Sequence, residues 1–85
     1  MTDQELRDLV LSVLAGIAPD ADLASLAPGE DLRERLDIDS MDHLNFVIGL
    51  HQATGVEIPE RDYARLVTLR DTLAYLAARL HSGSH

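Results

Sequence analysis

Apolar residues recur along the chain at helical spacing, and no stretch shows the alternation of a strand. Leu6, Leu9, Val10, Val13, Leu14 and Ile17 follow i, i+3, i+4, i+7, i+8, i+11, one face of an amphipathic helix. Thr2-Asp3-Gln4-Glu5 in front of them is a capping box, T-x-x-E, and Pro19 ends the run, so the pattern predicts a first helix over 3–17. A second helix is predicted over about 40–54, with Asp39 or Ser40 as N-cap and Gly55 as the C-terminal stop. Val56-Glu57-Ile58-Pro59 reads as a short extended link, because the residue before a proline avoids the α region. Pro59 suits the first position of a short third helix, about 59–65. Thr68-x-x-Asp71 is a weaker capping box opening a last helix, whose stripe is Leu69, Leu73, Leu76, Ala77 and Leu80. The expected fold is all-α, a four-helix bundle with one short helix.

The connection over 18–39 is unusually long for a compact domain, and such connections are functional or packed by their own side chains. Pro19, Pro28 and Gly29 break regular structure in it. Leu23, Leu26, Leu32, Leu36 and Ile38 recur through it, which predicts that it is pinned across the bundle, with one helical turn at 31–36. No internal repeat or linker divides the chain, so residues 1–81 are expected to form one domain and 82–85 a flexible C-terminal tail.

The helix over 40–54 carries more apolar surface than one bundle core needs. Drawn as a wheel, Phe46, Val47, Leu50, Met41, Leu44 and Ile48 cover about 220°, against a stripe of somewhat over 100° on an ordinary surface helix. Asp42, Asn45, Gly49 and Gln52 share the remaining polar sector. Either this helix is central, with neighbours on two sides, or part of the arc is kept for a partner or ligand. On the second reading Phe46, Val47 and Leu50 face the core, and Met41, Leu44 and part of Ile48 face outward.

Composition narrows what such a bundle can do. At 85 residues it is too small to enclose a deep cleft easily as well as a core, and its formal net charge of -8 argues against nucleic acid, whose phosphates need Lys and Arg. The charge favours partners with basic surfaces. No apolar run approaches a membrane span and no signal-peptide pattern opens the chain. Cysteine is absent, so any thiol chemistry must use an imported thiol.

The candidate chemistry lies in 36–42, LDIDSMD, where Ser40 sits among Asp37, Asp39 and Asp42. One reading makes Ser40 a plain helix cap. Another makes it an attachment point, since a hydroxyl at a helix N-terminus lies at the edge of the fold beside groups that favour a phosphate. A serine hydrolase fits poorly: His43 is near in sequence, but a short bundle offers no evident oxyanion hole or pocket. His43 and His51 stand eight apart without a third ligand, a pattern of solvated or interface histidines rather than of a metal site. Arg33 and Arg35 are expected to pair with nearby acids at the surface, and Arg61, Arg65, Arg70 and Arg79 to be solvated.

From Leu36 to Leu76 the chain resembles the phosphopantetheine-binding carrier domains, the acyl carrier proteins and their peptidyl and polyketide relatives. Their attachment motif, G-x-D-S-L-(D/E), is D-I-D-S-M-D here. Further matches are Val47 and Leu50 in the second helix, Glu57-Ile58-Pro59 before the third, Thr68-Leu69 opening the last and Tyr75 near its end. Asp31-Leu32 resembles the family's DL before the motif. The resemblance implies that the bundle is a carrier and not an enzyme, with 4'-phosphopantetheine bound covalently at Ser40 and Asp39 beside it. It also implies recognition through Met41, Asp42, Leu44 and Ile48. The cargo would ride as a thioester to the enzymes of fatty-acid, polyketide or related biosynthesis. Implied partners are a phosphopantetheinyl transferase and acyl-loading and acyl-transfer enzymes with basic surfaces, and the implied state is a cytoplasmic monomer. The alternative is a helical adaptor that grips a protein through the helix over 40–54. The motif's glycine is Asp37 here, so the turn before Ser40 is expected to differ. Asn45, His51 and Gln52 replace acids common in the family, which points to a specialised carrier.

Overall fold

The computed structural model describes residues 2–82. Helix α1 runs Asp3–Ile17, α2 Leu32–Leu36, α3 Ser40–Thr54 and α4 Leu69–Ser82, with 3₁₀ segments at Leu23–Ser25 and Glu60–Arg65. The Thr2 hydroxyl accepts from the Glu5 N–H at 3.1 Å and the Glu5 carboxylate accepts from the Thr2 N–H at 2.8 Å, completing the predicted box. Gly55 closes α3 at φ 75°, the left-handed region where a missing Cβ carries no penalty.

Leu6, Val10 and Leu14 of α1 meet Phe46, Val47 and Leu50 of α3 and Leu69, Tyr75 and Leu76 of α4 in one core. Two expectations for the helix faces need correction. Gly49, placed in the polar sector, lies on the α1 side: a Cβ there would sit 2.8 Å from Val13 Cγ1, so the missing side chain lets the two helices approach. In α4, Leu73, Ala77 and Leu80 are only half-buried, while Thr72 and Tyr75 take their place inside.

The long connection is packed, as the leucines predict. Leu26, Leu32, Leu36 and Ile38 are buried. Two backbone hydrogen bonds stitch it to the start of α4: Leu32 N–H to the Val67 carbonyl at 2.8 Å and Arg70 N–H to the Pro28 carbonyl at 2.9 Å. Pro59 proves to be the N-cap of the 3₁₀ segment, at ψ 152°, rather than its first helical residue. Helix α4 continues through Ser82 and so takes in the first residue of the predicted tail; residues 83–85 lie outside those described.

Arg61, Arg65 and Arg70 are exposed, as expected, but Arg79 is half-buried, because the buried Asp62 draws it in. Asp62 accepts from the Tyr75 hydroxyl at 2.7 Å and from Arg79 Nη2 at 3.2 Å, and the Arg79 guanidinium lies 3.9 Å above the Tyr75 ring. The cluster ties the short 3₁₀ segment to α4. The Tyr75 hydrogen bond holds the Asp62 carboxyl below its ordinary range, with help from Arg65, Arg61 and Arg79 against the opposing effect of burial. Burial and the same bond push the Tyr75 hydroxyl up. The folded state therefore binds the Asp62 proton later than the unfolded chain on acidification. Its stabilisation is present above the unfolded carboxyl pKa and is lost as pH falls through the lower, folded value. Asp62→Asn is expected to flatten the dependence of stability on pH between about pH 5 and pH 2, measured by urea unfolding at stepped pH. An unchanged slope would show that the cluster has no electrostatic share in folding.

Candidate functional site

The site is a corner between α2 and α3. Asp31 opens α2 by accepting from the backbone N–H of Arg33 at 2.9 Å and of Glu34 at 3.2 Å. Buried Leu32 and Leu36 anchor that single turn to the core. Asp37 then ends it in the left-handed conformation, φ 54° and ψ 46°. The Asp37 and Ile38 N–H groups both fold back onto the Arg33 carbonyl, the Ile38 bond at 3.1 Å. This is a helix C-terminus of the kind glycine usually makes, and aspartate tolerates it better than most residues. The substituted turn is therefore one that glycine would also adopt, reached with some strain. Asp37→Gly is expected to stabilise the domain by about 0.5–1 kcal/mol and Asp37→Ala to destabilise it, read from denaturation midpoints. A loss of stability in both would refute the strained turn.

Ile38 plugs into the core and Asp39, extended at φ -94° and ψ -174°, turns the chain into α3. Asp39 is the N-cap. Its carboxylate accepts from the Asp42 N–H at 2.9 Å, and Asp42 accepts from the Asp39 N–H at 3.5 Å, a reciprocal box with two aspartates. Ser40 is consequently the first residue of the helix rather than its cap. Its side chain is exposed, and its hydroxyl accepts from Arg33 Nη2 at 3.0 Å. That contact corrects the expectation for Arg33, which reaches a hydroxyl seven residues on instead of an acid. Arg35 does pair with an acid, Glu30, at 2.8 Å, and also donates to Ser25 at 2.7 Å. An open polar depression lined by Asp31, Arg33, Glu34, Asp37 and Ile38 lies beside the corner.

The other predicted site residues divide by exposure. Met41 and Ile48 stand out at 64% and 42% exposed, Leu44 between them is half-buried, and Asp42 is half-buried. Met41, Leu44 and Ile48 form one outward stripe, while Phe46, Val47 and Leu50 are essentially inaccessible. The wide arc is thus split between core and surface. His43 departs from expectation. It is buried, its Nε2–H donates to the Leu66 carbonyl at 2.9 Å, and its ring lies 6.1 Å from that of Phe46. A side chain that satisfies a loop carbonyl in the core is a structural part, not a solvated one. His51 is exposed, and its Nδ1 meets the Val56 carbonyl at 2.8 Å, at the end of α3.

The bundle thus caps α3 with Asp39 and leaves the Ser40 side chain exposed, held by Arg33 alone among the hydrogen bonds of the described residues. The sequence comparisons name the class. The family model described as the phosphopantetheine attachment site matches residues 4–76. An acyl carrier protein of Campylobacter hominis is 32% identical over 73 residues, 86% of each chain. One of Streptomyces coelicolor is 28% identical over 75 residues, 88% of this chain and 82% of its own, and one of Thermosynechococcus vestitus is 28% identical over 76, 89% and 93%. The chain belongs to the phosphopantetheine-binding carrier family. It is a carrier rather than an enzyme, and its cofactor is covalently attached 4'-phosphopantetheine.

Proposed function

We propose that Ser40 bears the 4'-phosphopantetheine arm and that the chain is an acyl carrier, handing an acyl or aminoacyl group between enzymes of fatty-acid, polyketide or related biosynthesis. The exposed Ser40 hydroxyl at the first position of α3, released from capping by Asp39, carries this reading. Its surroundings fit a phosphate ester: the oxygen faces solvent, a guanidinium lies within hydrogen-bond distance, and the helix start favours negative charge. In the attachment step the Ser40 oxygen bonds to the pantetheine-side phosphorus of coenzyme A. The bond from that phosphorus to the bridging oxygen breaks, adenosine 3',5'-bisphosphate leaves, and the serine proton passes to a base of the transferase. Once bound, the arm supplies the thiol that the cysteine-free chain lacks.

The residues around Ser40 keep it presented. Asp39 and Asp42 fix the start of α3, and Ile38 and Leu36 hold the corner against the core. Met41, Leu44 and Ile48 are the apolar contacts for the transferase and for acyl-loading and acyl-transfer enzymes, and Asp42 adds charge for basic partner surfaces. Action as a monomer in the cytoplasm belongs to the same reading. Incubation with coenzyme A, magnesium and a broad-specificity phosphopantetheinyl transferase tests it. The expected result is addition of one arm by intact mass, mapped to the peptide containing Ser40. Addition elsewhere, or none, overturns it.

A further inference from the structure

Arg33 has no part in the family motif, yet its guanidinium touches the hydroxyl on which the proposed function turns. We propose that Arg33 is a positioning residue for the phosphate of the arm: once Ser40 is esterified, its guanidinium moves from the serine oxygen to the phosphodiester and holds the root of the arm against the α2–α3 corner. The inference rests on Ser40 as the attachment residue.

The geometry is short-range. Arg33 Nη2 lies 3.0 Å from Ser40 Oγ. A phosphorus bonded to that oxygen carries its non-bridging oxygens about one further hydrogen-bond length away, so a small side-chain rotation brings the guanidinium onto them. Arginine suits the exchange. It is always charged, its planar fork can meet two phosphate oxygens together, and it has no acceptor. Before attachment, its bond to the oxygen leaves the serine proton free for a base.

Charge gives the contact its purpose. Asp37, Asp39 and Asp42 lie within three residues of Ser40, and each opposes a phosphodiester there. The other nearby cation, Arg35, is already held by Glu30 and Ser25. Arg33 is set in place by the backbone. Its own carbonyl receives the folded-back N–H groups of Asp37 and Ile38, so the left-handed turn that brings Ser40 round also brings Arg33 beside it. Because the pair is exposed, the bound phosphate should be favoured only about two- to five-fold over the released one, and salt should weaken it.

Phosphorus NMR of the modified protein tests this directly. Wild type, Arg33→Gln and Arg33→Lys are converted to the phosphopantetheine form and mapped by peptide mass. An arm away from Ser40, or absent from wild type, would fail the underlying reading before this one is reached. With the arm on Ser40, the wild-type resonance should move as salt rises from about 0.01 to about 1 M, where the screening length falls from about 30 to about 3 Å. Arg33→Gln should start from a displaced position and move much less, with Arg33→Lys between them. If Arg33→Gln and wild type give the same resonance at every salt concentration, the phosphate is not held by Arg33. The proposal then fails even if the variant is modified more slowly, since docking on the transferase alone would produce such slowing.

Discussion

Ser40→Ala should remain at its unmodified mass after exhaustive incubation with coenzyme A and transferase, while keeping the helical circular dichroism of the parent. The second half of this outcome follows from the capping arrangement. Asp39 and Asp42 satisfy the start of α3 reciprocally, so the substitution removes no cap. Alanine favours the helix, and the lost contact is one exposed hydrogen bond from Arg33, so the net change should stay within about 1 kcal/mol. The first half follows from chemistry, because no other group at that position can form the ester. Ser25, which among the described residues is also bonded to an arginine, already donates its proton to the Asp22 carbonyl at 3.1 Å. Modification of Ser40→Ala at Ser25, or at any other serine, would remove Ser40 from the proposal.

The second large effect separates the two halves of the α3 surface. Phe46 is completely buried in the core, and its truncation should cost about 3–5 kcal/mol. Domains of this size have little stability beyond that, so Phe46→Ala is expected to be largely unfolded at room temperature. Leu44, one turn along the outward stripe from Met41, is half-buried. Leu44→Ala should cost clearly less stability, yet slow modification and acyl transfer by removing apolar contact with the enzymes. Thermal unfolding and modification kinetics on both variants decide the matter. If Leu44→Ala unfolds as readily as Phe46→Ala, the stripe is core and the proposed recognition face is lost.

The elements built on strong local rules were legible in the sequence. The boundaries of α1 and α3 follow from reciprocal caps, from apolar spacing and from Gly55, all of which act within a few residues. The helix start at Asp39 and Ser40 was legible for the same reason, as was the outward placement of Met41 and Ile48 once Phe46, Val47 and Leu50 had claimed the core. What was missed depends on contacts distant in sequence. His43 looks polar on a wheel, but its partner is the Leu66 carbonyl, 23 residues away. Gly49 looks like part of a polar sector, but it admits Val13 from another helix. Asp62 gives no local sign that Tyr75 and Arg79 will converge on it. Arg33 lies between these cases. The only signal available was Asp37 at the motif's glycine position; the left-handed turn seen there brings the α2 side chains back towards the start of α3.

The stitches from the long connection to the residues before α4 bear on what this chain can accommodate. Closing a loop costs entropy that grows only with the logarithm of its length, so doubling a free segment adds about 0.6 kcal/mol. The bonds at Pro28 and Leu32 divide the connection into a tethered half, which reaches Ser40, and an upstream half over 18–25 that carries no such stitch in its backbone. Extra residues near Asp20, which is exposed, would lengthen only the upstream half at this modest entropic cost. The same residues placed between Gly29 and Asp31 would pull the two stitches out of register and shift the corner that presents the serine. In this chain added length is therefore absorbed more readily near the end of α1 than between Gly29 and Asp31, and it reaches the serine's corner only through the depression that Asp20 shares with Asp37, Ile38 and Asp42.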